Sequence, residues 1–301
     1  MDSRKAVLRA REKNIVIPAF NVVHLPMLEA VAKAIVDENS VAMVQIARIE
    51  WEKMGSGSIE ETAKEYRRCE NADHTILHLD HVPVVDEDNE RVDYKPIIER
   101  AIDAGYQSVM IDGSRLSLEE NIAVTLQITE MAHNAGIPCE AELGAVMGHE
   151  SGPMPPYEEI FTSKMGFTSV DEAKRFVLET GVDWLSIAAG NIHGAVAAAT
   201  RNEKKPEARL DISQIEALYQ ATNVPLVLHG GSGIKNEFIK AAIVAGIAKI
   251  NIGTEIRQTY EKGLAESGGN VDTARQSLYE KTRIILSDSL GIKNSRTQLF
   301  E

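Results

Sequence analysis

Eight times along this chain a short apolar run gives way to an amphipathic stretch, and that cadence restricts the fold more than any other feature. The apolar runs are Ile15–Val22, Val41–Ala47, Thr75–His81, Ser108–Asp112, Pro138–Leu143, Trp184–Ala189, Leu226–His229 and Lys249–Ile252. Runs of this length, bounded by Gly, Pro or polar residues, read as strands buried on both faces. Helical patterns follow them over Pro26–Asp37, Ile59–Glu70, Pro96–Ala104, Leu118–Ala135, Val170–Thr180, Ile212–Thr222 and Glu237–Ala245, and Thr254 opens one more. Such alternation predicts parallel strands with crossover helices, and eight is the number that closes a TIM (β/α)8 barrel. A doubly wound open sheet is the alternative. The chain has no Pro-, Gly- or Ser-rich linker, so residues 1–301 are expected to form a single domain. The tail from Glu266, with a helical pattern around Ala274–Leu286, is expected to add C-terminal helices as an extra layer or an oligomer contact.

Parallel barrels build their sites at the C-terminal ends of the strands. The residues at those ends are Asn21, Asp80 with His81, Asp112, Glu142, Asn191 and His193, His229, and Asn251 with Thr254. The segment Pro225–Ser232, PLVLHGGS, is the most pointed of them. Gly230 and Gly231 let backbone N–H groups approach an anion, and Ser232 adds a hydroxyl before the next helix. A ligand histidine fused to a phosphate cradle is one reading, and a Gly-rich turn beside a core histidine is the other. His81, His193 and His229 together would give three imidazoles and an open position, the pattern of a catalytic zinc site. For each histidine alone, a hydrogen-bonded structural role is the competing reading.

Neighbouring strand residues point to opposite faces, so Asp80 and His81 serve one site only if the strand ends or bulges there. Asp80 would then suit proton transfer, with a capping or ligand-orienting role as the alternative. Glu142 lies in an otherwise apolar strand, where an unpaired carboxylate is costly. It is expected to pair, to ligate a cation or to orient a histidine. Glu140 shares that face one step deeper and reads as structural. Two long loops, Val82–Tyr94 and Ala145–Thr168, are expected to act as lids or binding loops, the second carrying His149 and Glu150.

A net charge of −13 with no basic stretch argues against nucleic acid and anionic membranes as partners. Two cysteines make no disulfide framework, no apolar run reaches membrane-spanning length, and the charged opening MDSRKAVLRAREKN is no secretory signal. A cytoplasmic protein is expected.

Taken together, the segments IPAFNV, HLDH, SVMIDGS with LEENI, EAELGAVMGHE, GVDWLSIAAGNIHG, VPLVLHGGSGI and AKINIGTEIR resemble the class II, zinc-dependent fructose/tagatose-bisphosphate aldolase family, in the family's order, from about residue 14 to 257. The resemblance implies a zinc-dependent, reversible aldol cleavage of a ketose (bis)phosphate such as fructose or tagatose 1,6-bisphosphate. The products would be dihydroxyacetone phosphate and an aldehyde such as glyceraldehyde 3-phosphate. It implies that His81, His193 and His229 hold Zn2+ and that Glu142 lies near a second, mono- or divalent, cation or zinc site. Asp80 would be the acid/base at the C4 hydroxyl, and Glu150 the group that moves the C3 proton of the triose. Asn21, Gly194, Gly230, Gly231, Ser232, Asn251, Ile252, Gly253 and Thr254 would bind substrate, mostly at the triose phosphate, and Arg257 would sit where some members bind the far phosphate. A homodimer or homotetramer is also implied.

The departures from the family pattern concern the sugar's distal half. Ala47 stands where a serine often binds the distal phosphate, His24 ends the AFNVVH turn, an acidic loop follows HLDH, Ala195 and Val196 follow HG, and Gly253 precedes Thr254. A non-standard ketose phosphate, lacking the second phosphate, is the alternative substrate. A non-catalytic barrel subunit supporting a partner aldolase is the alternative function. No strand-end lysine suggests a Schiff base, because Lys249 begins its strand in this reading.

Overall fold

The structure, a computed structural model, describes residues 1–146, 155–192 and 208–301. In chain order its elements are α1 (Ser3–Glu12), β1 (Ile17–Asn21), α2 (Met27–Asp37), β2 (Ala42–Ile46), α3 (Arg48–Lys53), α4 (Ile59–Cys69), β3 (Thr75–Pro83), α5 (Tyr94–Asp103), β4 (Ser108–Asp112), α6 (Leu118–Asn134), β5 (Cys139–Leu143), α7 (Tyr157–Ser163), α8 (Val170–Thr180), β6 (Trp184–Ile187), α9 (Ile212–Thr222), β7 (Leu226–Leu228), α10 (Asn236–Ala245), β8 (Ile247–Ile252), α11 (Thr254–Glu266), α12 (Val271–Ile284) and α13 (Ser295–Phe300). The eight strands are all parallel and close into a barrel in sequence order. β1 pairs with β8, Ile17 opposite Lys249, which closes the ring and removes the open-sheet alternative.

Helix starts follow local capping chemistry. Ser58 and Ser117 each accept a hydrogen bond from the backbone N–H three residues on, and Glu61 and Glu120 reach back to the cap's own N–H. These reciprocal bonds satisfy donors that the first turn of a helix leaves open. The predicted tail pattern becomes α12, which packs on α2 and α11 and runs into a single π-helical turn over Ile285–Ser289.

Two boundaries differ from the sequence reading in ways that matter. β8 begins at Ile247, so Lys249 lies in mid-strand and is fully buried. The apolar run around it is interrupted by this lysine, which makes the strand seem to start late. Helix α1, unforeseen because half its residues are charged, buries the narrow stripe Ala6, Val7 and Ala10. That stripe packs with Ile17, Met43, Ile76, Trp184, Val227 and Leu299 to plug the barrel at the N-terminal ends of its strands.

Strand β3 runs on to Pro83, and its register against β4 shifts between Leu79 and Val82. Leu79 pairs with Val109 and Val82 with Ile111, so Asp80 and His81 together oppose the single residue Met110. This is a β-bulge, which lets two consecutive side chains be re-aimed.

Candidate active site

The bulge puts Asp80 and His81 on the wall of one cavity of about 600 Å³ at the C-terminal mouth of the barrel. Asp80 is held by two amides. Asn21 Nδ2 donates to Oδ2 at 2.8 Å, and Asn251 Nδ2 donates to Oδ1 at 2.9 Å. Each amide is itself oriented from below: Gln45 Nε2 donates to Asn21 Oδ1 at 2.9 Å and Lys249 Nζ to Asn251 Oδ1 at 2.7 Å. Burial alone would raise Asp80, but the charges of His81, His229 and Lys249 hold its carboxyl well below the usual carboxylate range.

Each of the two described histidines at the site has a carboxylate behind it. His81 Nδ1 lies 3.1 Å from Asp112 Oδ2, which turns Nε2 toward the site. Burial opposes charge on this ring, yet Asp80 beside it and the bond to Asp112 push its pKa up to about 10. His229 stands one residue beyond β7 and is fully buried. Its Nε2 is 2.9 Å from Glu140 Oε1, and its Nδ1 is 3.1 Å from Glu142 Oε2. Burial and the charge of His81 act against protonation of His229, but Glu140 and Glu142 outweigh them and raise its pKa. The two imidazoles meet edge to face with ring centroids 4.4 Å apart.

Beneath them lies a second, wholly buried tier. Glu140, Lys249 and His78 are each 0% exposed, which makes their pairing compulsory rather than optional. Lys249 Nζ is 2.9 Å from Glu140 Oε2. Burial works against Glu140's charge, but Lys249 and His229 hold its pKa down at about 2. Burial and then Lys249 push His78 down to about 3, so it is a neutral ring, bonded through Nδ1 to Ser108 Oγ at 2.7 Å. Glu142 accepts from Ser186 Oγ at 3.1 Å.

Of the residues singled out from sequence, Asn21, Asp80, His81, Glu142, Gly230, Ser232, Asn251, Gly253, Thr254 and Arg257 line the cavity. Gly230 has φ 67°, a left-handed conformation that glycine adopts without steric cost. Gly231 and Ile252 instead line a neighbouring cleft that Ser232 and Thr254 also border, and the Gly231 N–H is already donated to Asn251 O at 3.0 Å. Arg257 donates to Glu261 at 2.8 Å, and Glu261 also meets His24 at 3.0 Å. Glu150, His193 and Gly194 lie outside the described residues.

Sequence reasoning passed over Gln45, Glu50, Arg115 and the interior position of Lys249. Gln45 and Lys249 had a signal, since each lies two residues before a strand-end position already singled out and so shares its face. Glu50 had none. It lies on α3, lines the cavity beside Ala47, and its Oε2 accepts the Ala47 N–H at 2.8 Å, capping α3 where alanine has no side-chain oxygen to offer. Burial pushes its pKa up to about 8.

The donor chemistry fits a metal ion. One ligand atom from each of Asp80, His81 and His229 lies within 4.8 Å of the others, and the same holds for His81, Asp112 and Glu142. Imidazole nitrogens with carboxylate oxygens are a donor set that zinc accepts. A carboxylate behind each ring is the usual support of a ligating histidine.

A closed parallel barrel with an acid, two histidines and a glycine-rich turn at its C-terminal mouth has the form of a barrel enzyme, whose active site lies at the strand ends. Residues 1–290 match the family described as fructose-bisphosphate aldolase class-II, and the chain belongs to it; it is an aldolase. It is 33% identical over 276 residues to the fructose-bisphosphate aldolase of Helicobacter pylori strain J99, covering 83% of this chain and 82% of that protein. It is 35% identical over 217 residues to the 6-phospho-5-dehydro-2-deoxy-D-gluconate aldolase of Shouchella clausii, covering 72% of this chain and 64% of that one. The crystal structure of the YdjI aldolase from Escherichia coli K12 superposes with a TM-score of 0.77 at 28% identity, over 98% of both chains.

Proposed function

We propose that the chain catalyses the reversible retro-aldol cleavage of a ketose phosphate to dihydroxyacetone phosphate and an aldehyde, with Zn2+ held by His81, His193 and His229. The observation that carries this reading is the β3 bulge, which turns both Asp80 and His81 to the cavity, with one ligand atom of each within 4.8 Å of one from His229. Asp80, ionised and fixed by two amide donors, takes the proton of the C4 hydroxyl as the C3–C4 bond breaks and C4 becomes the aldehyde carbonyl. The electron pair of that bond remains on the triose half, and Glu150 delivers a proton to C3 to complete dihydroxyacetone phosphate. Zinc, when bound, supplies Lewis-acid polarisation of the ketone carbonyl. Gly230, Ser232, Gly253 and Thr254 receive the triose phosphate, the last pair opening α11, whose N-terminal N–H groups favour an anion. Glu142 stands by as the acid nearest a second cation. The chain acts in the cytoplasm as a homodimer or homotetramer in this reading.

Fructose and tagatose 1,6-bisphosphate are the first substrates to try. A second reading, a ketose phosphate with no second phosphate, is supported by Ala47 on the cavity wall, since alanine offers no hydroxyl to a phosphate there. A relative named for a singly phosphorylated acid is in keeping with it. A coupled assay for dihydroxyacetone phosphate over a panel of ketose mono- and bisphosphates, with and without chelator, decides. Release that stops with chelator and returns with zinc supports the proposal, and the preferred substrate ranks the two readings. No release from any of them by zinc-loaded protein would defeat it.

A further inference from the structure

The buried ammonium of Lys249 is not explained by packing. Burying a lysine at 0% exposure in the middle of a barrel strand is expensive unless each of its protons is answered. Here the group sits between two arms that lead to the mouth of the barrel. One runs from Nζ to Asn251 Oδ1 at 2.7 Å and from Asn251 Nδ2 to Asp80 Oδ1 at 2.9 Å. The other runs from Nζ to Glu140 Oε2 at 2.9 Å and from Glu140 Oε1 to His229 Nε2 at 2.9 Å. A side-chain amide can turn over and exchange its oxygen for its nitrogen. An ammonium has three donors and no acceptor, so it tolerates only the amide oxygen on its side. With Oδ1 committed to Lys249, the Asn251 NH2 must face Asp80. Turned over, the amide would set its oxygen against a carboxylate and its NH2 against a cation, two repulsions in place of two bonds.

We propose that Lys249 is a positioning residue that acts through Asn251. It locks the amide in the one orientation that presents N–H to Asp80, and so holds that carboxylate as an acceptor aimed at the substrate hydroxyl. Gln45 does the same for Asn21 on the other oxygen, but with a neutral amide that can itself turn over. The ammonium is therefore the part of this frame whose polarity cannot be reversed. The inference rests on the assignment of Asp80 to the hydroxyl proton.

The test uses full-length, zinc-loaded protein and the ketose phosphate that the parent cleaves best. Lys249→Met keeps the length of the side chain and removes the donors. The double variant Lys249→Met with Glu140→Gln removes the buried charge pair together and remains usable if the single variant fails to fold. In either one, kcat for cleavage should fall roughly 10- to 100-fold, the range found when a supporting residue behind a reacting group is lost. KM should change less than threefold, and zinc per chain should stay at the value of the matching background, the parent for Lys249→Met and Glu140→Gln alone for the double variant, since Glu140 also backs His229. Solvent exchange of the C3 proton of dihydroxyacetone phosphate, which does not pass through Asp80, should continue near the parent rate. In an Asn251→Ala background, Lys249→Met should add little, because the route is already cut. Parent-like kcat in a folded Lys249 variant overturns the proposal. So does an equal loss of cleavage and C3 exchange, or a full additional loss in the Asn251→Ala background. A parent that cleaves no ketose phosphate would instead refute the assignment of function on which this rests.

Discussion

The two ends of the barrel interior are built on opposite principles from the same alternation of side chains. At the N-terminal end, Ile17, Met43, Ile76, Trp184 and Val227 pack against the stripe Ala6, Val7 and Ala10 of α1, and apolar area does the stabilising. One step of two residues up the strands, Met43 gives way to Gln45 and Ile76 to His78, and on β8, where the register against β7 shifts, Lys249 follows directly on Ala248 of the lower tier. Another step reaches Ala47, Asp80 and Asn251, and Asn21 and His229 meet Asp80 there. The middle tier is as dry as the bottom one, yet its members are charged or strongly polar. Dispersion tolerates imperfect placement, whereas a buried charge network does not, because each unpaired member keeps its full desolvation cost. The bottom thus confers stability without much direction, and the tiers above convert that stability into fixed orientation for Asp80 and the histidines.

Substitutions should separate the two ends. The largest effects on activity belong to the mouth. His229→Ala should remove both metal and turnover, seen as loss of zinc by atomic emission and no detectable product. Asp80→Ala should leave zinc in place and lower kcat by roughly 10²- to 10⁴-fold, the usual worth of a general acid or base. Metal loss in the Asp80 variant would mean that the carboxylate holds the ion rather than the proton. At the opposite end, Trp184→Ala should cost about 3–5 kcal/mol of stability, as large aromatic truncations in cores do. Its folded fraction should keep kcat near the parent's. Trp184 is fully buried and its Nε1 has no hydrogen-bond partner among the described residues, so Trp184→Phe should cost far less than the alanine. A fall in kcat with Trp184→Ala, measured well below its melting temperature, would show that the plug also sets the geometry above it.

The same division explains what could be read from the sequence. The eight strands and most helices were legible because burial on both faces leaves a continuous apolar run, and the rim residues because strand ends mark one side of the barrel. The middle tier was hidden by its own function. Lys249 interrupts an apolar run and so made β8 appear to begin late, and Glu140 gave no hint that Lys249 would answer it from three strands away. The Asp80–His81 pair could be stated only as a condition, since a bulge depends on the register between β3 and β4, which neither strand encodes alone. Helix α1 was lost among charges because three small apolar residues suffice to cap a barrel.

Glu50 belongs to neither end, and it offers the finest test of the contrast between them. It is a buried acid at the mouth that accepts the Ala47 N–H at 2.8 Å, and the described residues place no lysine or arginine in an ion pair with it as Lys249 is with Glu140. Burial has accordingly raised it to about 8 where Lys249 holds Glu140 at about 2. The sign of the linked stability follows from the direction of the shift. Between the ordinary glutamate value and about 8, folded protein retains a proton that the unfolded chain has released. This contribution is therefore complete at low pH and declines as the pH rises through about 8, by at most about 1.4 kcal/mol per pH unit. Glu50→Gln cannot lose a proton. In metal-stripped protein, where no ion's charge acts on the same group, the parent's stability relative to Glu50→Gln should fall between pH 5 and pH 8, as followed by urea unfolding at each pH. A difference that stays flat over that range would mean that Glu50 is already ionised in the fold and that a cation answers it, which would make the mouth and the middle tier alike after all.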